Sequence, residues 1–510
     1  MLRTRVAAAP VLAALALLRW SPAGAARVID LAQHAVPTIV GSHGEEQFGY
    51  SSAAGDLTGD GRPELVVGAP GHRNGGDYHA GAVYVFDGAT LPGSAKQARA
   101  ADAALFVLTG DAGQGRFGAT VALADLNGDG LRDIIVGAPS AGEGKRTEGG
   151  RIYVFVSRPG EPPPVTSLGA DVTLVGEAGG DALGSSLLVK DVDGDGTDDL
   201  LASAFRAGAP GKPAAGAVYV ILGPALAVAS GEVGVAGIAS AVVEGDRAGD
   251  SLIGLAAADL DGDASLDLVL GAYLADGPSG DRPDAGALYV IPWERLAAAP
   301  RGAVSELASN AALGARDRGF FGRVLSAGDI DGDGITDLLA SAYASGGETK
   351  DESVTGEAFV LFGAKGAPEP TMDLRTADAP KFRGLSRWDL FGFGALVADM
   401  NGDGPADVVA SAPFAGADGD ARPRCGEVYV FWGGLRSVVR AKAGASELAD
   451  LRIVGAHAQE TLGGCLLAAR VSGARTPDLI IGAPDALVAP GADRCGRLFI
   501  VPASDIGGGR

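Results

Sequence analysis

Cysteine is almost missing, with three residues in 510 at positions 425, 465 and 495, and that scarcity excludes a disulfide framework. Cys425 and Cys495 stand at equivalent points of neighbouring repeats, so a single bridge could form only if those points come within disulfide reach. Histidine is equally sparse: His34, His43, His72, His79 and His457 are scattered, and only His72 and His79, with Asp77, share one loop that could bind a metal. No strand runs into a Gly-x-Ser-x-Gly turn, which removes the nucleophile elbow of one large hydrolase class. A basic face is missing as well. The net charge is −22, and a phosphate backbone needs a basic surface, so nucleic acid is not expected as a partner. Aromatic residues make up only 6%, and the apolar interior is left to Ala, Val and Leu, with 81 glycines for tight packing and turns. No low-complexity tract marks a linker.

Long apolar runs are confined to the start. Arg3 and Arg5 precede an apolar stretch over 6–18, and Ala23-Gly24-Ala25 suits a small-residue cleavage site. Thirteen helical residues span about 20 Å, short of the roughly 30 Å of a bilayer core. Residues 1–25 are therefore expected to be a secretory signal, 26–35 a lead-in, 36–503 one folded unit and 504–510 a frayed tail. No transmembrane segment is expected once the signal is removed. The expected location is secreted, periplasmic or surface-associated.

The stretch that explains the rest is FGATVALADLNGDGLRDIIVGAP, residues 117–139. Val121 and Leu123 alternate as in a strand. An acidic loop follows, and then Ile134-Ile135-Val136 runs into a Gly-Ala-Pro exit. In the loop, oxygen-bearing side chains occupy the first, third, fifth and ninth positions, Asp125, Asn127, Asp129 and Asp133, with Gly130 at the sixth. Alternating positions in a tight turn aim their oxygens inward, and the Leu131 carbonyl can add another. Hard oxygen donors on a flexible loop suit Ca²⁺, with Mg²⁺ second because it demands a stricter octahedron. An EF-hand is excluded, because position twelve is Val136 rather than Glu and the flanks are strands.

The loop recurs. Copies start at Asp56, Asp125, Asp191, Asp259, Asp329 and Asp399, and a worn one starts at Arg470, at spacings of 69, 66, 68, 70, 70 and 71 residues. Each is followed by a second strand, a small-residue exit, and a third strand such as GAVYVF from Gly81 or GEVYVF from Gly426. A short fourth strand ends in a Gly seven residues before each opening, for example Gly110 before Phe117, where an unusual backbone dihedral is expected. Four short strands repeated seven times, without a helical period, describe an all-β, seven-bladed β-propeller of antiparallel blades. The chain supplies only three strands for the last blade, while Thr38-Ile39-Val40 is an orphan fourth strand near the start. It is expected to complete the last blade and close the ring, since an open blade leaves an unpaired edge.

Phe48-Gly49, Phe117-Gly118, Phe321-Gly322 and Phe391-Gly392, with Gly68-Ala69-Pro70, Gly137-Ala138-Pro139 and Gly482-Ala483-Pro484, resemble the FG-GAP repeat. That repeat builds the N-terminal seven-bladed propeller of integrin α subunits and occurs in many bacterial secreted proteins. The resemblance implies Ca²⁺ in the hairpin between first and second strands, up to six ions here. The matching ligands are Asp125, Asn127, Asp129 and Asp133; Asp191, Asp193, Asp195 and Asp199; Asp329, Asp331, Asp333 and Asp337; and Asp399, Asn401, Asp403 and Asp407. The first loop departs with Asp56, Thr58, Asp60 and Glu64, where a hydroxyl and a longer acid replace carboxylates. The fourth has Asp259, Asp261, Asp263 and Asp267 but carries Ala264 where the others have Gly, a change that costs about 1 kcal/mol if that position needs positive φ. In the seventh, Arg470 repels a cation and no metal is expected. The ions are expected to be structural, since each loop commits its oxygens and shows no neighbouring base or nucleophile. Six of them would bring −22 to −10.

In the resembling family, ligands are met on the face opposite the calcium hairpins. Here that face is built by loops joining second to third strands, including 70–80, 139–149, 272–285 and 412–425, which differ in every repeat. They show no basic stripe or interleaved aromatics. The expectation is a monomeric binding or adhesion module for an extracellular protein or glycan, without catalytic residues and without an integrin-type β subunit. The alternatives are a propeller-based extracellular hydrolase or lyase, or a structural subunit of an envelope assembly.

Overall fold

The computed structural model describes residues 26–507, except 92–96, 112, 143–146, 159–164, 209–210, 278, 347–353, 367–370, 378, 385, 418–420, 435–443 and 488–493. The expected signal sequence, 1–25, lies outside the described residues.

Each repeat begins with an alternating strand, continues with a fully buried one that opens on an acid, and turns back through a third. Blade 2 shows the plan: Thr120–Ala124, Asp133–Ala138, Arg151–Phe155 and Val172–Val175 pair in that order, all antiparallel. The second strand has no exposed residue in any blade, which is why, after its leading acid, it reads as a run of apolar and small residues. Seven such sheets form the molecule. Their first strands contact one another in cyclic order, the seventh meeting the first, so the ring is closed around an axis lined by first strands. The chain is an all-β, seven-bladed propeller.

Its core is divided into seven wedges, each between two blades. Ile135 and Ile152 of blade 2 pack with Leu200 and Tyr219 of blade 3 in one wedge. The closing wedge joins Ile480 and Leu498 to Ile39, Phe48 and Leu65. The opening Phe fills the wedge edge-on. Phe117 lies 5.3 Å from Tyr153 and Phe391 5.8 Å from Tyr429, ring to ring.

The Gly-Ala-Pro glycine holds neighbouring blades together. A Cβ on Gly137 would collide with the Gly184 carbonyl of the next blade, and one on Gly482 with the Gly49 carbonyl across the closure. Where Ser replaces this Gly in blades 3 and 6, the hydroxyl donates to a carbonyl of the next blade's opening, Ser203 to Leu252 at 2.6 Å and Ser411 to Gly463 at 2.8 Å, whereas Ser341 of blade 5 accepts the Val324 amide at 3.2 Å. Ser203 and Ser411 are buried, so the inserted atom is satisfied by the contact it would otherwise obstruct.

The closure follows the sequence expectation. Thr38–Val40 pairs antiparallel with the third strand of blade 7, Arg497–Val501. Four differences stand beside it. First, five of the seven sheets carry a fifth, parallel strand: Arg27–Asp30, Gln97–Arg99, Gly231–Gly234, Arg301–Ala303 and Thr371–Asp373. Each comes from the connection leading into the next blade's outer strand and covers the outer edge of the blade before it. Second, the lead-in over 26–35 is therefore structural, since its strand pairs with blade 6 at Leu451–Val454. Third, Ala503–Gly507 forms a helical turn with Ile506 buried, so the ordered chain runs past 503; 508–510 lie outside the described residues. Fourth, the Gly seven residues before each opening does not adopt positive φ. At Gly110 a Cβ would strike the Ala80 carbonyl, and at Gly245 the Ala215 carbonyl. Close approach, not dihedral freedom, requires glycine there. The left-handed residue is the one just before the opening, where Arg116 has φ +58° and Phe320 +54°.

No disulfide joins the three cysteines, and Cys425 and Cys495 are buried. No helix among the described residues is long and apolar enough to cross a membrane.

Candidate metal centres

Each acidic loop is a hairpin between first and second strands, and all share one end of the ring. In blade 2, Asp125 accepts the Asp129 and Gly130 amides at 3.0 and 2.9 Å, Asn127 accepts Asp129 N–H at 3.0 Å, and Asp129 accepts Leu131 N–H at 2.9 Å. These bonds curl the loop so that positions one, three and five face one point. The turn requires a left-handed sixth residue: φ is +88° at Gly130, +92° at Gly196, +87° at Gly334 and +75° at Ala264. Ala264 therefore holds a conformation that glycine adopts without a Cβ penalty.

The ninth carboxylate has a second task that its spacing does not reveal. Asp133 accepts Leu126 N–H at 3.1 Å and Ser157 N–H at 2.9 Å, tying the loop's entry to the end of the third strand. Asp199, Asp337 and Asp407 do the same with Val192 and Gly223, Ile330 and Gly363, and Met400 and Gly433. Asp267 accepts Leu260 N–H at 3.2 Å, and Glu64 accepts Leu57 N–H at 2.7 Å with its longer arm. The worn seventh loop explains why its one acid remains: Asp478 accepts the Ser472 amide, the Ser472 hydroxyl and the Ala503 amide.

Burial pushes Asp133, Asp199, Asp267, Asp337 and Asp407 up to about 6, with neighbouring loop carboxylates adding to the rise. Glu64 and Asp261 are raised by the same causes, whereas the Thr197 hydroxyl lowers exposed Asp195. Three loops bring carboxylate oxygens within 4.8 Å of one another: Asp191, Asp193 and Asp199; Asp259, Asp261 and Asp263; Asp329, Asp331 and Asp333. Like charges this close favour a divalent cation with oxygen preference, so the donor set fits Ca²⁺. In blades 2 and 6 the third position is Asn, whose amide donates to the Asp129 carboxylate at 3.0 Å or that of Asp403 at 3.1 Å, while its oxygen accepts the backbone N–H of the same residue at 3.0 or 2.8 Å. Blade 1 keeps Asp56 and Asp60 bonded into the turn, with the Thr58 hydroxyl 3.5 Å from Glu64. Successive loops are also chained: Arg132 N–H reaches the Asp56 carbonyl, Thr336 that of Asp259, and Ala406 that of Asp329.

The opposite end differs in character. Tyr273, Phe320, Tyr343 and Phe393, from three blades, form an arc with ring separations of 6.1, 5.6 and 5.6 Å. Arg323 lies over Tyr343 and Phe393, Arg116 over Tyr50, and Arg424 over Phe414, at 5.3–5.5 Å. Of these groups Tyr50, Arg323, Phe393 and Phe414 line an axial mouth of ≈ 320 Å³, which Asp485 also lines. Arg206, Arg323 and Arg424 form no ion pair with a described residue. The loops taken singly show no interleaved aromatics, because the rings and guanidinium groups converge from different blades. His72, His79 and Asp77, which share a loop that could bind a metal, do not come together as a group. His79 and Asp77 are exposed, and His72 instead meets His43 and Glu46.

The fold and these loops fit an integrin-like FG-GAP propeller. The FG-GAP repeat family matches residues 48–86, 117–155, 183–221 and 321–361. Relatives include phosphatidylinositol-glycan-specific phospholipase D of Rattus norvegicus, 38% identical over 32% of this chain and 19% of that protein. Integrin alpha-PS5 of Drosophila melanogaster is 35% identical over 39% of this chain and 18% of its own length. Human integrin alpha-IIb is 34% identical over 37% and 18%. The chain spans about a fifth of the length of these relatives, and both enzymes and non-enzymes are among them.

Proposed function

We propose that this protein is a secreted, monomeric binding module. Ca²⁺ in up to six hairpin loops stabilises the ring, and the opposite face takes an extracellular protein or glycan carrying anionic groups. The observation that carries the proposal is the polarity of the ring: carboxylates crowd the hairpins at one end, while at the other Arg323, over Tyr343 and Phe393, lines the axial mouth and Arg424 lies over its lining residue Phe414. On a chain of net charge −22, unpaired arginines at one mouth concentrate the attraction for carboxylate or sulfate groups there. A guanidinium stacked on a ring keeps its N–H edge free for bidentate contact. Relatives named for a phosphatidylinositol-glycan substrate support a glycan among the candidates.

Binding to an array of sulfated and carboxylated glycans and matrix proteins tests this. Arg323→Ala is expected to weaken the hits at least tenfold without moving the melting temperature. Hits indifferent to Arg323, or turnover in a hydrolase screen that is lost in His72→Ala, would favour an enzyme instead.

A further inference from the structure

Where the ring closes, two imidazoles and a carboxylate meet. His43 and Glu46 lie on the segment that leaves the closing strand Thr38–Val40 and enters blade 1. His72 lies just beyond the second strand of blade 1, Glu64–Ala69. Glu46 has no exposed surface. Its Oε1 accepts the Ser42 amide, and its Oε2 accepts the Tyr84 hydroxyl at 2.9 Å, so the carboxylate is fixed before any ligand arrives. Both imidazoles turn Nδ1 toward that same Oε2, His72 at 3.1 Å and His43 at 3.4 Å, with the two rings edge to face at 5.0 Å. His72 is buried, whereas the His43 side chain is 57% exposed and leaves one side open to solvent.

We infer that His43, Glu46 and His72 form a site for a divalent transition metal of the zinc class, with a fourth, exchangeable position on the solvent side. The separations agree with this. Tetrahedral ligands about 2.0–2.1 Å from an ion stand roughly 3.3–3.4 Å apart. Two nitrogen donors with one carboxylate select zinc-like ions over calcium, which takes oxygen. Tyr84 is the outer partner that orients the carboxylate.

The other blades provide the comparison. Asp181, Asp250 and Asp389 stand at the same place as Glu46, two residues before the opening, and each caps its own turn through a backbone amide. Capping is thus the common task, and the paired imidazoles are added in blade 1. Blade 7 repeats half of the arrangement with His457 and Glu460, but Arg497 takes that carboxylate at 3.0 Å and would repel a cation. An ion at His43, Glu46 and His72 would tie the closing strand's exit to blade 1, at the end of the ring opposite the acidic hairpins.

The test uses the full chain in excess Ca²⁺, so that the hairpins are filled, with Co²⁺ as the probe. One equivalent is expected to give the strong absorption of a tetrahedral nitrogen-containing site and to be displaced by Zn²⁺. Tyr84→Phe should weaken Co²⁺ binding roughly 10–100-fold, and His43→Ala or His72→Ala by more than that. His43 is exposed, so its variant should keep the calcium-dependent melting curve of the parent, which checks that it is folded. Absence of the tetrahedral absorption, or its persistence unchanged in folded His43→Ala, would overturn the site.

Discussion

Asp478 and Asp133 occupy the same place in their hairpins, yet the first belongs to a loop whose leading residue is Arg470. Both accept backbone amides on each side of the turn. The ninth acid therefore accepts a loop amide in every blade, as Glu64 and Asp267 do from Leu57 and Leu260, and the metal ligation proposed above would be added where the other acids are present. This double use carries a pH signature. A carboxyl held near 6 in the folded chain and near 4 unfolded binds its proton more tightly when folded. In chelator, the stabilisation from the protonated form is complete below about pH 4 and is lost as pH rises through about 6. Melting temperatures measured across that window should fall in chelator and should not fall in Ca²⁺, which requires the ionised form. A flat chelator profile would contradict the buried acid's role. At Ala264, φ of +75° predicts that Ala264→Gly raises stability by about 1 kcal/mol, measured by denaturant unfolding. At this scale, ligand positions and the glycine turn were legible in the sequence because spacing encodes them. The backbone-anchoring task of the ninth acid was not, because its partners Ser157, Gly223 and Gly363 lie 24 to 26 residues away.

Strands of five or six residues announced themselves. The fifth strands did not. Gln97–Arg99, Gly231–Gly234 and Thr371–Asp373 are short and largely exposed, so they carry neither apolar alternation nor a β-rich run. They form because the preceding blade offers an unpaired edge, a tertiary cause invisible locally. The two N-terminal strands can be separated by truncation. Removing residues through 31 deletes the edge strand on blade 6, with Ile29 and Leu31 of one wedge and the Asp30–Arg422 pair, but leaves every blade its four strands, and should lower the melting temperature less. Removing residues through Gly41 opens blade 7 and exposes Ile39's wedge, and should lower it sharply. Equal losses from the two truncations would deny Thr38–Val40 its closing role. Gly137 tests the inter-blade contact. Gly137→Val should destabilise by several kcal/mol, because its Cβ meets the Gly184 carbonyl and the Thr120 hydroxyl.

Across the whole molecule, seven wedges and a chain of linked hairpins make the ring one cooperative object with two unlike ends. Number of blades, order of strands and closure could all be read from a 70-residue period, because each unit buries its face only against a neighbour. The aromatic arc and the arginines of the axial mouth could not, since Tyr273, Phe320, Tyr343 and Phe393 become neighbours only when the ring closes. The central claim is that divalent ions in the acidic hairpins hold this ring. At a hundredfold excess over its dissociation constant, one ion adds about 2.7 kcal/mol, and loops joined by backbone hydrogen bonds pass that order to their neighbours. Scanning calorimetry in millimolar Ca²⁺ and in chelator tests it most directly. The account predicts a melting temperature lower by many degrees in chelator and restored by added Ca²⁺; identical transitions in the two conditions would contradict it.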